Sequence, residues 1–227
     1  MSVLTQGLYI QHMDFAFSAD KPFFKNVSLH CLPDKLNFLR GQNGSGKSTF
    51  FNILQKNIPQ GAQLTGDFTI DGQKIKSEYI TIVVQDVDEM LANQFSVQQN
   101  LQCANLSRYP GLHSLPKSTN MSFLQEFNID CNKQVDQLSG GQKQILAIVI
   151  ASQKPTKLLL LDEPTAALDP KNAHMVMQCL QKLAQELDLT VLIISHDKEL
   201  VATYAPGYYF EITQDNNHMR TIEKVIL

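Results

Sequence analysis

The sequence lacks any stretch of about 18 uninterrupted apolar residues, so no segment reads as a helix that spans a bilayer. Its longest apolar runs, near residues 145–151 and 157–161, are far too short. The first residues, Met1-Ser-Val-Leu-Thr-Gln-Gly7, lack a basic region followed by an apolar one, so no secretory signal is expected and the chain is placed in the cytoplasm. Runs of like charge are absent too, and the formal net charge is only -3. Nothing in that balance points to a nucleic-acid partner. Cysteine is sparse and scattered. Cys31, Cys103, Cys131 and Cys179 form no C-x-x-C pair, and no histidine stands at metal-finger spacing. Reduced thiols are expected, with no disulfide and no zinc.

What is present is a core. Of 227 residues, 43% are hydrophobic and 18% charged, enough for one large domain or one domain carrying an inserted subdomain. Residues 8–15 and 27–32 alternate as strands, the second stopping at Pro33-Asp34. Residues 35–40 form a strand that runs into a glycine-rich loop, and residues 48–55 then fit a helix packed on one face. Residues 67–72 hold a strand and an Asp71-Gly72 turn, and residues 79–84 a buried strand. Strand runs vanish between about residues 86 and 154, where amphipathic pieces such as residues 121–127 predict a helical insertion. Strand and helix alternate again afterwards. Residues 157–161 and 190–194 are parallel-type strands, and between them residues 170–187 predict a helix with Asp169 as N-cap and Pro170 at its first position. Its expected apolar face is Val176, Leu180, Leu183 and Leu187. Residues 208–213 and 221–226 predict a terminal hairpin around residues 215–218. The fold class is therefore α/β, a mainly parallel sheet flanked by helices.

Gly41-Gln-Asn43-Gly44-Ser45-Gly46-Lys47-Ser48 fits G-x-x-x-x-G-K-[ST] between a strand and a helix, the context a phosphate loop requires. Its backbone N–H groups and the helix N-terminus favour phosphate, Lys47 supplies charge, and the Ser48 hydroxyl suits Mg²⁺. Leu158-Leu-Leu-Leu-Asp162-Glu163 ends a buried strand with two carboxylates. Asp162 is expected to hold Mg²⁺ through water, and Glu163 to act as general base on the attacking water. His196 closes residues 190–194 in the same way and is expected near the γ-phosphate. Gln85 closes residues 79–84, where an amide suits both Mg²⁺ and water; taken alone it also reads as a structural residue. Leu138-Ser139-Gly140-Gly141-Gln142 precedes a helix at residues 143–151 that is apolar nearly all round. It reads as a second anion site.

GQNGSGKST, LSGGQ, LLLLDEP, Asp169 and Ser195-His196, in this order over nearly the whole chain, resemble the nucleotide-binding subunits of ABC ATPases. The resemblance implies a P-loop ATPase core with an N-terminal antiparallel β subdomain, together residues 1–85 and 155–227, and an inserted α-helical subdomain at about residues 86–154. It implies that two cassettes face head to tail, so that Ser139, Gly140, Gly141 and Gln142 bind the γ-phosphate of a partner's ATP while Asp169 sits at the dimer seam. The nucleotide set becomes Phe17, Gly41, Asn43, Gly44, Ser45, Gly46, Lys47, Ser48 and Thr49. Phe17 stands where the family places an aromatic on adenine, with Phe15 as the alternative. The chain departs from the family in the helix after LSGGQ, where Ile145 and Ile150 replace two arginines. A similar loss occurs in a bacterial subgroup serving binding-protein-dependent importers.

The expected function is an ATP-hydrolysing subunit, a homodimer peripheral to the inner face of the membrane, coupled to permease chains and to an external substrate-binding protein. Its cofactors are ATP and Mg²⁺, and import is the expected direction. The alternatives are a soluble ABC ATPase acting on ribosomes or DNA, and a regulator that binds nucleotide without hydrolysis. A single cassette of 227 residues speaks against the first, and intact Glu163 and His196 speak against the second.

Overall fold

The computed structural model describes residues 6–104, 121–153, 155–215 and 218–227. Residues 105–120 of the helical insertion and the hairpin tip at Asn216 and Asn217 lie outside the described residues. One sheet organises the fold. At one side β1 (Leu8–Ser18) pairs antiparallel with β2 (Lys21–Cys31) and with β4 (Gln63–Ile70), and β4 pairs with β5 (Gln73–Lys74). Asp71 and Gly72, at φ 50 and 72, make the tight turn between β4 and β5. At the other side β3 (Leu36–Arg40), β8 (Thr190–Ile194), β7 (Leu158–Asp162) and β6 (Ile80–Val83) lie parallel in that order. The terminal hairpin of β9 (Tyr208–Gln214) and β10 (Arg220–Ile226) is inserted between the two regions.

The parallel strands are apolar on both faces, and this builds two cores. Leu159, Leu161, Val191 and Ile193 point to one side, where α4 (Gly140–Ala151) and α5 (Pro170–Leu187) cover them. Leu158, Leu160, Leu192 and Ile194 point to the other, onto α1 (Lys47–Leu54) and the antiparallel strands. The described part of residues 86–153 contains helices, short turns and a lone bridge between Ser96 and Gln134. Its helices are α2 (Val97–Ala104), α3 (Met121–Glu126) and α4. The remaining helix, α6 (Lys198–Tyr204), follows β8.

Several boundaries differ from the sequence expectation. β1 runs on to Ser18, which puts Phe17 on a strand, and β2 begins at Lys21. Tyr79 closes a short turn, and β6 starts one residue later. Leu187 is 46% exposed instead of buried, because α5 ends there; Asp188 turns left-handed at φ 52 and Leu189 enters the core in its place. The helix expected at residues 143–151 starts at Gly140, so the glycines of LSGGQ, the signature string, form its first turn.

Candidate functional site

Because β3, β8, β7 and β6 are parallel and in register, their carboxyl ends share one edge of the sheet. Ligands of open α/β sheets bind at such an edge. The loop after β3, Asp162 and Glu163 after β7, His196 after β8 and Gln85 after β6 all arrive there.

The loop turns into α1 through Gly46, at φ 108. A side chain is excluded at that position twice over. The backbone is left-handed, and a Cβ would stand 2.7 Å from the Phe23 ring. α4, α5 and α6 each begin on a side-chain cap, from Ser139, Asp169 and Asp197, whereas α1 has none. Its free N–H groups suit a phosphate. Ser45 is buried and its Oγ has no hydrogen-bond partner among the described residues. Lys47 Nζ donates to the carbonyls of Gly41 at 2.9 Å and Gln42 at 3.1 Å. Burial holds the Lys47 ammonium below the usual lysine range, while Glu163 and Asp162 pull it back up. Ser48 and Thr49 occupy the first turn of α1, and Asn43 lies exposed in the loop.

The acidic end of β7 is built against electrostatic resistance. Burial, and then the charge of Glu163, raises the Asp162 carboxyl above the ordinary aspartate value; Lys47 and His196 oppose the rise. Glu163 adopts φ 48, and its N–H donates to the Ile194 carbonyl at 3.0 Å, hooking the end of β7 onto β8. Its Oε1 lies 3.2 Å from His196 Nε2. Gln85 is exposed two residues beyond β6, on the same edge.

These groups fit Mg²⁺ in a particular way. No cluster of three His, Cys, Asp or Glu suited to a metal exists among the described residues. A hydroxyl and a desolvated carboxylate do, and Mg²⁺ is commonly held by one or two protein oxygens together with substrate phosphates and water.

Phe15 is buried in the core, packed edge-on against Phe17 at 5.0 Å. Phe17 is only half-buried, so of the two aromatics it is the one with a face to offer. Two residues that the sequence reading missed stand beside it. Phe23 packs edge-on against Phe17 at 4.9 Å, and Arg220 lies over Phe23 at 4.0 Å. Phe23 reads as an ordinary strand residue, and no local signal marks Arg220.

The signature string lies apart from the phosphate loop. Among the described residues, no recorded hydrogen bond of residues 139–143 reaches residues 41–49. Ser139 and Gln142 form a complete capping box: Gln142 N–H donates to Ser139 Oγ at 3.3 Å, and Ser139 N–H to Gln142 Oε1 at 3.1 Å. Gln142 Nε2 donates to the Asn128 carbonyl at 2.8 Å. The Gln142 amide is therefore committed, and the Gly140 and Gly141 N–H groups and the Ser139 hydroxyl proton remain for an anion. Gly141 packs on Asn172 of α5, whose atoms would lie 2.9–3.0 Å from a Cβ added there. Asn172 also donates from backbone and side chain to the Asp169 carboxylate, so the signature turn and Asp169 form one unit. Lys143 pairs with Asp88 at 2.8 Å and holds that carboxyl below the usual range, which ties α4 to the segment after Gln85. The four cysteines are free, and burial pushes Cys31 and Cys179 up.

The family model described as ABC transporter matches residues 24–166. A tyrosine transport ATP-binding protein of Clostridioides difficile is 31% identical over 196 residues, which cover 80% of this chain and 77% of that protein. The methionine import ATP-binding protein MetN of Streptococcus agalactiae is also 31% identical over 196 residues, but the chain spans only 54% of its length. Among solved structures, cbiO1 from Clostridium perfringens, described as part of the ABC transporter complex cbiONQ, superposes with a TM-score of 0.77. It is 25% identical, and the match covers 98% of this chain and 89% of that one.

Proposed function

The chain belongs to the ABC transporter ATP-binding family, and from that premise we propose that it hydrolyses Mg·ATP in a head-to-tail dimer that drives partner permease chains. The observation that carries the chemistry is the gathering of Lys47, Asp162 and the Glu163–His196 pair at one sheet edge. Phe17 stacks on the adenine, and the loop from Gly41 to Thr49 wraps the phosphates with inward N–H groups. Lys47 moves from its loop carbonyls to the phosphate oxygens, which are stronger acceptors. Ser48 and Gln85 would hold the metal and Asp162 would reach it through water; Mg²⁺ would supply charge neutralisation at the phosphate oxygens. Glu163 accepts the proton of the attacking water. His196 orients Glu163 and donates to the γ-phosphate side of the reaction.

The second half of each site comes from the other subunit. Ser139, Gly140 and Gly141 donate to the partner's γ-phosphate, and Gln142 holds them in place through the capping box. Asp169, carried by the same Asn172 contact, lies at the seam. The core of residues 1–85 and 155–227 binds nucleotide, and the insertion at about residues 86–154 passes the motion to the membrane. No described helix is long and apolar enough to cross a membrane, and the proposed pathway lies in permease chains docked at the inner face, a reading supported by cbiO1 being part of a transporter complex. Import is the direction printed for the methionine relative, and it supports the same direction here, with an external substrate-binding protein delivering the cargo.

Glu163→Gln tests the base. Phosphate release should fall by about 100-fold or more while ATP binding persists. A variant that hydrolyses at the wild-type rate removes Glu163 from the mechanism, and normal ATP binding by Lys47→Ala would remove the phosphate loop. Tagged Glu163→Gln captured with ATP from detergent-solubilised cells should bring down polytopic membrane proteins. Recovery of ribosomal or other soluble partners alone would end the transport reading and leave the ATPase.

A further inference from the structure

Strand β10 meets β2 at one register pair, Arg220 with Phe24, and there the antiparallel strands join the rest of the sheet. From this seam the Arg220 side chain reaches back over the phosphate loop. Its guanidinium carbon lies 4.0 Å from the centroid of the Phe23 ring. Nη2 donates to the Gly44 carbonyl at 3.5 Å, and Nη1 to the His218 carbonyl at 3.1 Å. Nε is shielded from solvent and has no hydrogen-bond partner among the described residues. Phe23 in turn presses on Gly46, the last residue before α1, and packs edge-on against Phe17. Arg220, Phe23 and Phe17 thus form a continuous stack along the outer side of the loop.

We infer that Arg220 is a positioning residue for the bound nucleotide, which clamps the tip of the phosphate loop to the C-terminal hairpin and holds Phe23 beneath it. The inference rests on the ATP-binding reading above. A loop can present its N–H groups to phosphate only if its carbonyls turn outward. The outward carbonyl of Gly44 lies at an exposed tip, and the charged Nη2 donor stands 3.5 Å from it. The same planar cation stacks on Phe23, a combination that lysine cannot reproduce. Its charge also adds to the positive potential met by an incoming triphosphate. The loop is then ordered before ATP arrives, and less binding energy is lost in ordering it. Arg220 takes no part in the proton transfer at Glu163, so its effect falls on affinity.

The test compares Arg220→Met and Arg220→Lys in the whole chain. Four quantities are read: ATP affinity by displacement of a fluorescent ATP analogue, kcat and KM of hydrolysis, and Tm. Arg220→Met should weaken ATP binding and raise KM by about tenfold, with kcat and Tm close to wild type. Arg220→Lys should recover part of the affinity, because it restores the charge and not the stack. Unchanged affinity in Arg220→Met overturns the inference. So does a loss of affinity that follows the loss of Tm in both variants, the mark of a purely structural role. A wild-type chain that fails to bind ATP overturns this inference together with the reading beneath it. Wild-type binding with an unaffected Met variant overturns this inference alone.

Discussion

Asp162 is at odds with its surroundings. Burial and the neighbouring Glu163 charge raise its carboxyl above the unfolded value. The folded chain therefore binds more protons than the unfolded one across that interval, and stability falls as pH rises through it. At neutral pH the ionised side chain carries the whole deficit. Asp162→Asn should then melt at a higher temperature than the wild type at neutral pH while losing hydrolysis. Thermal melts from about pH 4 to about pH 8 check this, because the stability gap between the two should widen with pH and then level off. Glu163 is strained in another way. A non-glycine residue at φ 48 costs of the order of 1 kcal/mol, offset here by the hydrogen bond to Ile194. The two carboxylates were legible in the sequence because an apolar run ending in Asp-Glu has few other uses beside a phosphate loop. The φ of Glu163 and its 3.2 Å approach to His196 were not, since both depend on β7 lying next to β8.

At the scale of elements, α4 decides how the signature turn is held. Its first turn is polar and capped, and beyond it every residue but Ile150 is buried. Ile145 is 0% exposed within the same core as Leu146 and Val149, and Ile150 is only half-buried. The two positions where the resembling family carries arginine are thus unlike one another here. Ile145→Arg should destabilise the chain by about 3 kcal/mol or more, because it places a charge in a packed apolar site without a partner. Ile150→Arg should stay within about 1 kcal/mol, since a long side chain there reaches water. Denaturant unfolding of both variants distinguishes the cases. Gly141 meets a different limit. A methyl group at this position presses on Asn172, including its Cβ, which has nowhere to rotate. Gly141→Ala should lose about 1–3 kcal/mol and weaken dimer closure, since Asn172 also holds Asp169.

At the scale of the whole molecule, the proposed head-to-tail dimer requires the phosphate loop and the signature turn to be two half-sites completed by different chains. Glu163→Gln should elute as a dimer with ATP and as a monomer with ADP when followed by light scattering. Adding Ser139→Arg should keep ATP binding and abolish the dimer, because a large cation then replaces the donor at the seam. A dimer that survives Ser139→Arg would place the second half-site elsewhere.

The sequence by itself determined the parallel core strands, the glycine-rich loop between β3 and α1, and the capped start of α5. Each is written in a short window, as a period, a glycine spacing or an N-cap, and local physics suffices to read it. Leu187 shows where that reading ends: its spacing matches the buried face of α5, yet the helix stops there and leaves it in water. The tertiary structure alone decided that the C-terminal hairpin inserts between β2 and β3, and with it that Arg220 stands over Phe23 and the loop tip. It alone joined Gly141 to Asn172 and Lys143 to Asp88. Those contacts link residues far apart in the chain, and which strands and helices become neighbours follows from how the two cores pack, a property that no short window of sequence contains.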